Sequence, residues 1–242
     1  MWNKFKNRSN EKELLDESNI PRGLLYKNLR ELDSLNRTAG GFAISLKGIK
    51  HLITDYHKIY HIVDLGCGSG DALKVIADWA RLNNYKVRLT GVDMNANAIE
   101  YLNYHCVDYP EISGITADYE EYLNSYVNVD IVHCSLFCHH LNDDELLRLF
   151  IYFRHHVKIG FIINDLQRHW IAYFSVWLLT RLLNGTALAK NDGPISVLRG
   201  FKSKELIYLL IKANITDYSI IKEWGFRFLI VGKTEKNEGM AG

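Results

Sequence analysis

Apolar positions in this chain first recur at helical spacing and then bunch into short runs separated by amphipathic stretches. Leu24, Leu25, Leu29, Leu32 and Leu35 predict a helix over about 22–36, with Pro21 suited to its first turn. Gly40-Gly41 is expected to end it, and Leu46, Ile49, Leu52 and Ile53 predict a second helix over about 45–54. From residue 61 the period alternates. Strands are expected at 61–65, 87–93, 114–117, 130–135 and 160–165. Helices are expected at 70–83, 96–106, 119–126 and 143–156, the last capped by Asn142 or Asp143. A strongly apolar helical stretch at 169–183 follows, then a loop at Asn191-Asp192-Gly193-Pro194 and a helix over 204–213 capped by Ser203. Two strands, about 215–223 and 226–233, close the pattern through a tight turn at Trp224-Gly225. Such alternation makes an α/β fold with a mostly parallel sheet. Residues 1–20 are charged and are expected to be partly mobile.

One junction carries chemistry. Ile62, Val63 and Leu65 form an apolar strand that runs into Gly66-Cys67-Gly68-Ser69-Gly70, and a helix opens directly behind. Glycines permit a tight turn and let a ligand approach the backbone, while the helix start offers unpaired N–H groups to a polar ligand. This is a nucleotide-type cofactor site. The second strand ends in Asp93, placed where an acid at a strand's carboxyl end accepts ribose hydroxyls. Its bland role is a helix cap, which Asn95 or Asn97 can fill instead.

The spacing Asp64-x-Gly66-x-Gly68-x-Gly70 resembles the first motif of class I S-adenosylmethionine-dependent methyltransferases, and differs from the G-x-G-x-x-G of dinucleotide enzymes. Asp93, the segment Gly114-Ile115-Thr116-Ala117-Asp118-Tyr119 and the run from Val129 to Leu141 resemble later motifs of that family in the same order. The resemblance implies a Rossmann-like seven-stranded sheet with helices on both faces and an antiparallel C-terminal hairpin. It implies S-adenosylmethionine as cofactor, with Asp64, Gly66, Cys67, Gly68, Gly70, Asp93, Met94, Asp118, Tyr119 and Ser135 around it. Asp118 would meet the adenine amino group. Residues 1–55 read as an N-terminal helical extension, 56–242 as the methyltransferase domain, and 167–200 as a substrate-lid insertion.

His139 and His140 follow the fourth strand, beside the expected methyl position, and either can serve as a base near neutral pH. Both can equally fix the loop through backbone bonds. His169 is a second base candidate, and Arg168, Trp170 and Tyr173 are candidate acceptor contacts, Arg168 having a salt bridge to Asp165 as its plain alternative. Asp192, Ser196 and Arg199 can pin the lid, with a purely structural role as the favoured reading.

Composition narrows the acceptor. With 29 basic and 28 acidic residues the chain lacks a basic footprint, so nucleic acid is not an expected partner. The fourth strand runs into Cys134-Ser135-Leu136-Phe137, without the proline of amino-group methylation on nucleic acids, and no Pro-Cys pair is present. Together with Trp170, Tyr173, Phe174 and Trp177, this points to a small apolar or aromatic metabolite, with oxygen methylation favoured. Cys134 and Cys138 with His133, His139 and His140 match no zinc spacing, and no metal is expected. The N-terminus lacks the apolar core of a secretion signal, so the thiols are expected reduced in the cytosol. The apolar stretch at 169–183 is shorter than the ~20 residues of a membrane span, though it suits a greasy substrate or a membrane surface. Alternatives are a lipid, quinone or macromolecular acceptor, or a non-catalytic methyltransferase-like subunit; the oligomeric state is not legible.

Overall fold

The computed structural model describes residues 2–17, 19–125 and 128–234. The apolar runs form seven strands: β1 (Ile59–Leu65), β2 (Lys86–Asp93), β3 (Ile112–Thr116), β4 (Val129–Ser135), β5 (Val157–Leu166), β6 (Tyr218–Glu223) and β7 (Arg227–Lys233). They make one sheet in the order β3-β2-β1-β4-β5-β7-β6. The first five are parallel, and β7 runs antiparallel to both β5 and β6.

Side chains alternate across this sheet, so each central strand feeds two cores. Val63 and Leu65 of β1, Phe161 and Ile163 of β5, and Phe228 and Ile230 of β7 face one side. There they meet α6 (Asp143–His156) and α9 (Ser203–Lys212) through Leu146, Phe150, Phe153, Leu206 and Leu210. Ile62, Ile131, Ile162 and Leu229 face the other side, against α2 (Gly41–Leu52) and α3 (Asp71–Leu82). α2 lies close: a Cβ on Gly48 would stand 2.7 Å from Ile162. On the same side α4 (Ala96–His105) covers β2 and β3. A smaller cluster of Ile20, Leu25, Leu29, Ala98 and Leu188 joins α1 (Arg22–Thr38) to α4 and to α8 (Ala187–Arg199).

Several expectations need correction. Gly40, left-handed at φ +72°, lies just past the end of α1 as expected, but α2 begins at Gly41 rather than near residue 45. The loop expected at 191–194 lies inside α8, Pro194 included. Thr186 caps that helix by accepting from Ala189 N, and α8 packs on α7 (Trp170–Leu182), with Gly193 close to Val176. Tertiary packing here overrides turn chemistry. Lys202, rather than Ser203, occupies the cap position of α9. The helix expected at 119–126 is α5 (Tyr119–Asn124), and residue 126 lies outside the described residues. Residues 5–17 are tied down at several points, contrary to the mobile reading, while residues 1 and 18 lie outside the described set.

Candidate functional site

The strand order reverses direction between β1 and β4, so the two following connections diverge and leave a crevice at their carboxyl ends. The glycine loop occupies that end. Gly66, Gly68 and Gly70 all have positive φ (+68°, +52° and +77°), a conformation that costs any other residue strain. Gly66 N and Cys67 N donate to Val92 O, which fixes the loop on β2. A Cβ at Gly66 would overlap the Phe137 ring, and Leu29 lies 3.4 Å from the corresponding position at Gly68. Phe137 and Leu29 therefore line the glycine face from the β4 loop and from α1.

The strand-end acids differ in what they face. Asp93 accepts from Gly68 N through Oδ2 (3.0 Å) and from Asn95 N through Oδ1 (2.9 Å). Burial raises its pKa, and those two N–H groups pull it back down. Asn95, not Asp93, caps α4. A carboxylate offers about four lone-pair directions, so two remain on Asp93 for ribose hydroxyls. This donor and acceptor set suits an adenosyl group, with Phe137 and Leu29 packed against the side-chain faces of Gly66 and Gly68. Asp118 is exposed and caps α5, its Oδ1 accepting from Glu120 N and Glu121 N. Tyr119 sits edge-on to Phe137 at 5.4 Å, bringing two aromatic rings to this end of the crevice. Met94 stands 74% exposed beside Asp93. Ser135 ends β4, and Leu136 next to it holds φ +54°, a left-handed conformation rare for a leucine.

Asp64 does not reach the crevice, which corrects the expectation for it. It is 2% exposed, and its Oδ1 lies 2.7 Å from His133 Nδ1 on the neighbouring strand, where the register pairs the two residues. His133 Nε2 meets Ser45 Oγ at 2.9 Å; Asn164 donates to Ser45 Oγ and to Gly41 O. Arg227 donates to Asn164 Oδ1 and Asn36 Oδ1, and burial pushes its guanidinium down to about 10. Asp64 thus begins a buried polar layer that fastens α2 to the sheet. Cys67 also turns inward: its sulfur packs towards Gly91, and burial raises its thiol pKa. Only its backbone belongs to the loop surface.

The histidine pair lies just beyond Phe137, in a short turn at Cys138–His140. His139 Nδ1 is 2.7 Å from Asp165 Oδ1 at the end of β5, and His140 Nδ1 is 2.9 Å from Asp16 Oδ1. Their second nitrogens approach one carboxylate, Glu13: His139 Nε2 at 3.5 Å and His140 Nε2 at 3.8 Å. Burial works against charge on His139, but Asp165 and Glu13 outweigh it and push the imidazole up to about 10. Glu13 and Asp165 are correspondingly held below the usual carboxylate range despite burial. Arg199 donates to His139 O, His140 O, Glu11 O and Asp16 Oδ2. Asp192 accepts from Leu14 N and Leu15 N. Arg199 and Asp192 do pin something, namely the N-terminal segment over the histidines. Nothing in the spacing of the chain announces Glu13, Asp16 or Arg8, because they meet this turn across more than 120 residues.

Arg168 is not free for an acceptor. It is buried, and its guanidinium donates to Phe5 O, Lys6 O, Gly200 O and Glu205, with no bond to Asp165. His169 caps α7 by accepting from Ile171 N, and its ring stacks on Phe226 at 4.9 Å; its role is to start the helix. Tyr173 lies under Lys4, whose Nζ is 3.5 Å from the ring centre. Trp170, Phe174, Trp177, Leu178 and Leu182 on α7 are exposed, so the helix turns an apolar face outward. Among the described residues, no helix is long and apolar enough to cross a membrane.

No curated protein matches the chain in sequence. The sequence model of a family described as a methyltransferase domain matches residues 62–160, which run from β1 into β5. Among solved structures, the plantazolicin methyltransferase BpumL in complex with SAH superposes with a TM-score of 0.65 at 16% identity, over 88% of this chain and 95% of that one. A methyltransferase from Aquifex aeolicus gives 0.61 at 13%, over 90% and 100% of the two chains. Human N-acetylserotonin methyltransferase gives 0.60 at 15%, over 88% of this chain and 56% of its own. At such identities the structures speak for a shared fold, and the family model adds a methyltransferase domain over residues 62–160, in keeping with the class I S-adenosylmethionine-dependent methyltransferases that the glycine-loop spacing resembles.

Proposed function

We propose that this enzyme methylates a small apolar or aromatic metabolite, on oxygen in preference to nitrogen or carbon. The observation that carries the reading is the reach of one short loop. Phe137 touches Gly66, and His139 and His140 follow two and three residues later, so the glycine loop and the histidine pair share one side of the crevice. When bound, the cofactor supplies a methyl group activated on its sulfonium. The chain's own residues then bind, orient and exclude water. Asp93 takes the ribose hydroxyls while its two backbone bonds hold the loop, and the ligand lies along the loop beside Phe137 and Leu29. Tyr119, with Met94 and Asp118, flanks the adenine, and Ser135 closes the β4 side. His140, flanked by Asp16 and Glu13, takes the acceptor hydroxyl's proton, which raises the oxygen's nucleophilicity, while His139, held charged by Asp165 and Glu13, orients it.

The lid reading of 167–200 and the cap reading of 1–55 are part of this proposal. α7 packs on α8, and α8 packs on residues 14–16 and on the histidine turn, which itself adjoins β5. The apolar outer face of α7 favours greasy acceptors such as quinones or lipids within the same reaction. Cys67, Cys106, Cys134 and Cys138 are free thiols, which fits a reducing, cytosolic setting.

Transfer of labelled methyl to a panel of phenols, quinones and lipids tests the proposal. A methylated product is expected from at least one class. His139→Ala and His140→Ala are expected to keep cofactor binding while one of them slows transfer roughly 100-fold or more. Unchanged rates in both would remove the cluster from the reaction.

A further inference from the structure

Three ligating groups converge on one point behind the acceptor side. Glu13, His139 and His140 each offer one ligand atom, and these atoms lie within 4.8 Å of one another. His139 Nε2 stands 3.5 Å from Glu13 Oε1 and His140 Nε2 stands 3.8 Å from Glu13 Oε2, so the imidazoles approach the two oxygens of one carboxylate at spacings near those an ion sets between its ligands. An ion with bonds of about 2.1 Å sets tetrahedral ligands about 3.4 Å apart.

The orientation of each ring matters more than its proximity. Asp165 and Asp16 each hold the Nδ1 side of one histidine, so the paired Nε2 lone pairs face the gap with Glu13. A ligating histidine that donates its other nitrogen to a carboxylate is the usual outer shell of a metal site, because it fixes tautomer and ring together. The backbone is held as well: Arg199 and Arg8 donate to the carbonyls of His139, His140 and Leu141.

A second, independent observation points into the gap. Glu13 is buried, and its Oε1 forms no hydrogen bond of normal geometry, with His139 Nε2 standing 3.5 Å away. Arg199 comes within 4.0 Å of that oxygen, but its donors are committed to three carbonyls and Asp16. An unpaired buried carboxylate oxygen is costly to keep. Carboxylates also dominate the surroundings: Asp16, Glu13 and Asp165 lie against the two imidazoles, and Arg199 pairs with Asp16.

We propose that Glu13, His139 and His140 bind a divalent transition-metal ion of the zinc class through two imidazole nitrogens and one carboxylate. Three protein ligands leave a position open for water or for an oxygen of the acceptor. The inference deepens the reading of this cluster given above, yet ion binding itself does not depend on methyl transfer.

The test uses the full-length, tag-free chain, stripped with a chelator and titrated with Zn²⁺ in a calorimeter, with S-adenosylhomocysteine binding measured in parallel. One zinc per chain is expected. Glu13→Ala and His140→Ala are expected to weaken it roughly 100-fold or more, and Asp165→Asn, which spares the ligands, by roughly 10–100-fold. All three should retain S-adenosylhomocysteine binding, which also reports that they fold. Zinc uptake unchanged in Glu13→Ala and His140→Ala would assign the metal to thiols and overturn the proposal. Absence of uptake would overturn it as well, leaving protons as the only charge that balances the cluster. Loss of methyl transfer with zinc uptake intact would instead count against the acceptor reading alone.

Discussion

Asp93→Ala separates the two tasks of one carboxylate. In the structure Asp93 already accepts two backbone N–H groups, one from Gly68 in the glycine loop and one from Asn95 ahead of α4. Its remaining lone pairs are assigned to the ribose. At about 1–1.5 kcal/mol for each hydroxyl, the alanine variant should lose about 2–3 kcal/mol of cofactor binding. That corresponds to a roughly 30–150-fold weaker Kd. The same change strips Gly68 N of its partner, which adds about 1–3 kcal/mol of lost stability if the group stays buried. Calorimetry with S-adenosylhomocysteine reads the first quantity, and urea unfolding of the cofactor-free protein reads the second. Acidification gives a further check. Burial raises the Asp93 pKa, so wild-type affinity should decline at a higher pH than for an ordinary carboxylate, whereas Asp93→Asn should not follow that decline. An alanine variant that folds and binds within threefold of wild type would show that the ribose does not rest on Asp93.

Other residues lead to further tests. Gly66→Ala places a Cβ in the Phe137 ring at a φ of +68°, and cofactor affinity should drop by at least about fivefold, from the roughly 1–2 kcal/mol of left-handed strain alone; unchanged affinity in the same calorimetric titration would mean the loop can give way. Asp192→Ala frees Leu14 N and Leu15 N, so limited proteolysis should cut within residues 5–17 sooner than in wild type, and an unaltered cleavage pattern would refute that anchoring. His61 is kept neutral: burial lowers its pKa, while its Nδ1 meets Asn128 O and its Nε2 meets Thr90 Oγ1. On acidification below the ordinary histidine range the unfolded chain takes up a proton that the folded chain refuses, so stability should fall between about pH 7 and pH 5. Urea midpoints across that range should fall less steeply in His61→Leu, and parallel slopes would exclude the residue.

The α/β core was readable because its signals are local. Asn142 followed by Glu145 and an apolar helical period marks α6 at its observed ends, and Asn142 and Glu145 form the reciprocal cap. The glycine spacing likewise announced the loop whose three positive φ values the structure holds. Where local chemistry and tertiary packing disagree, the reading failed. Asp-Gly-Pro at 192–194 is turn-like in isolation, yet α7 packs beside it and the helix continues through. Asp64 looked like a cofactor ligand by its place in the motif, but a histidine on the adjacent strand claims it. Glu13 and Asp16 were invisible for a different reason: no period or spacing links a residue to partners more than 120 positions away.

The clamp of Asp192 and Arg199 on residues 8–16 has a bearing on how the protein comes into being. Arg8, Leu14 and Leu15 leave the ribosome well before the helix that receives them, with contacts spanning 177 to 191 positions. Such long-range closures come late in folding, since much of the chain must first be ordered to make them worthwhile. The segment at residues 8–16 would then be among the last parts to settle, and the packing around the two imidazoles would be completed only after α8 has formed. An activated methyl group would meet the histidine turn only in a chain whose fold is already closed.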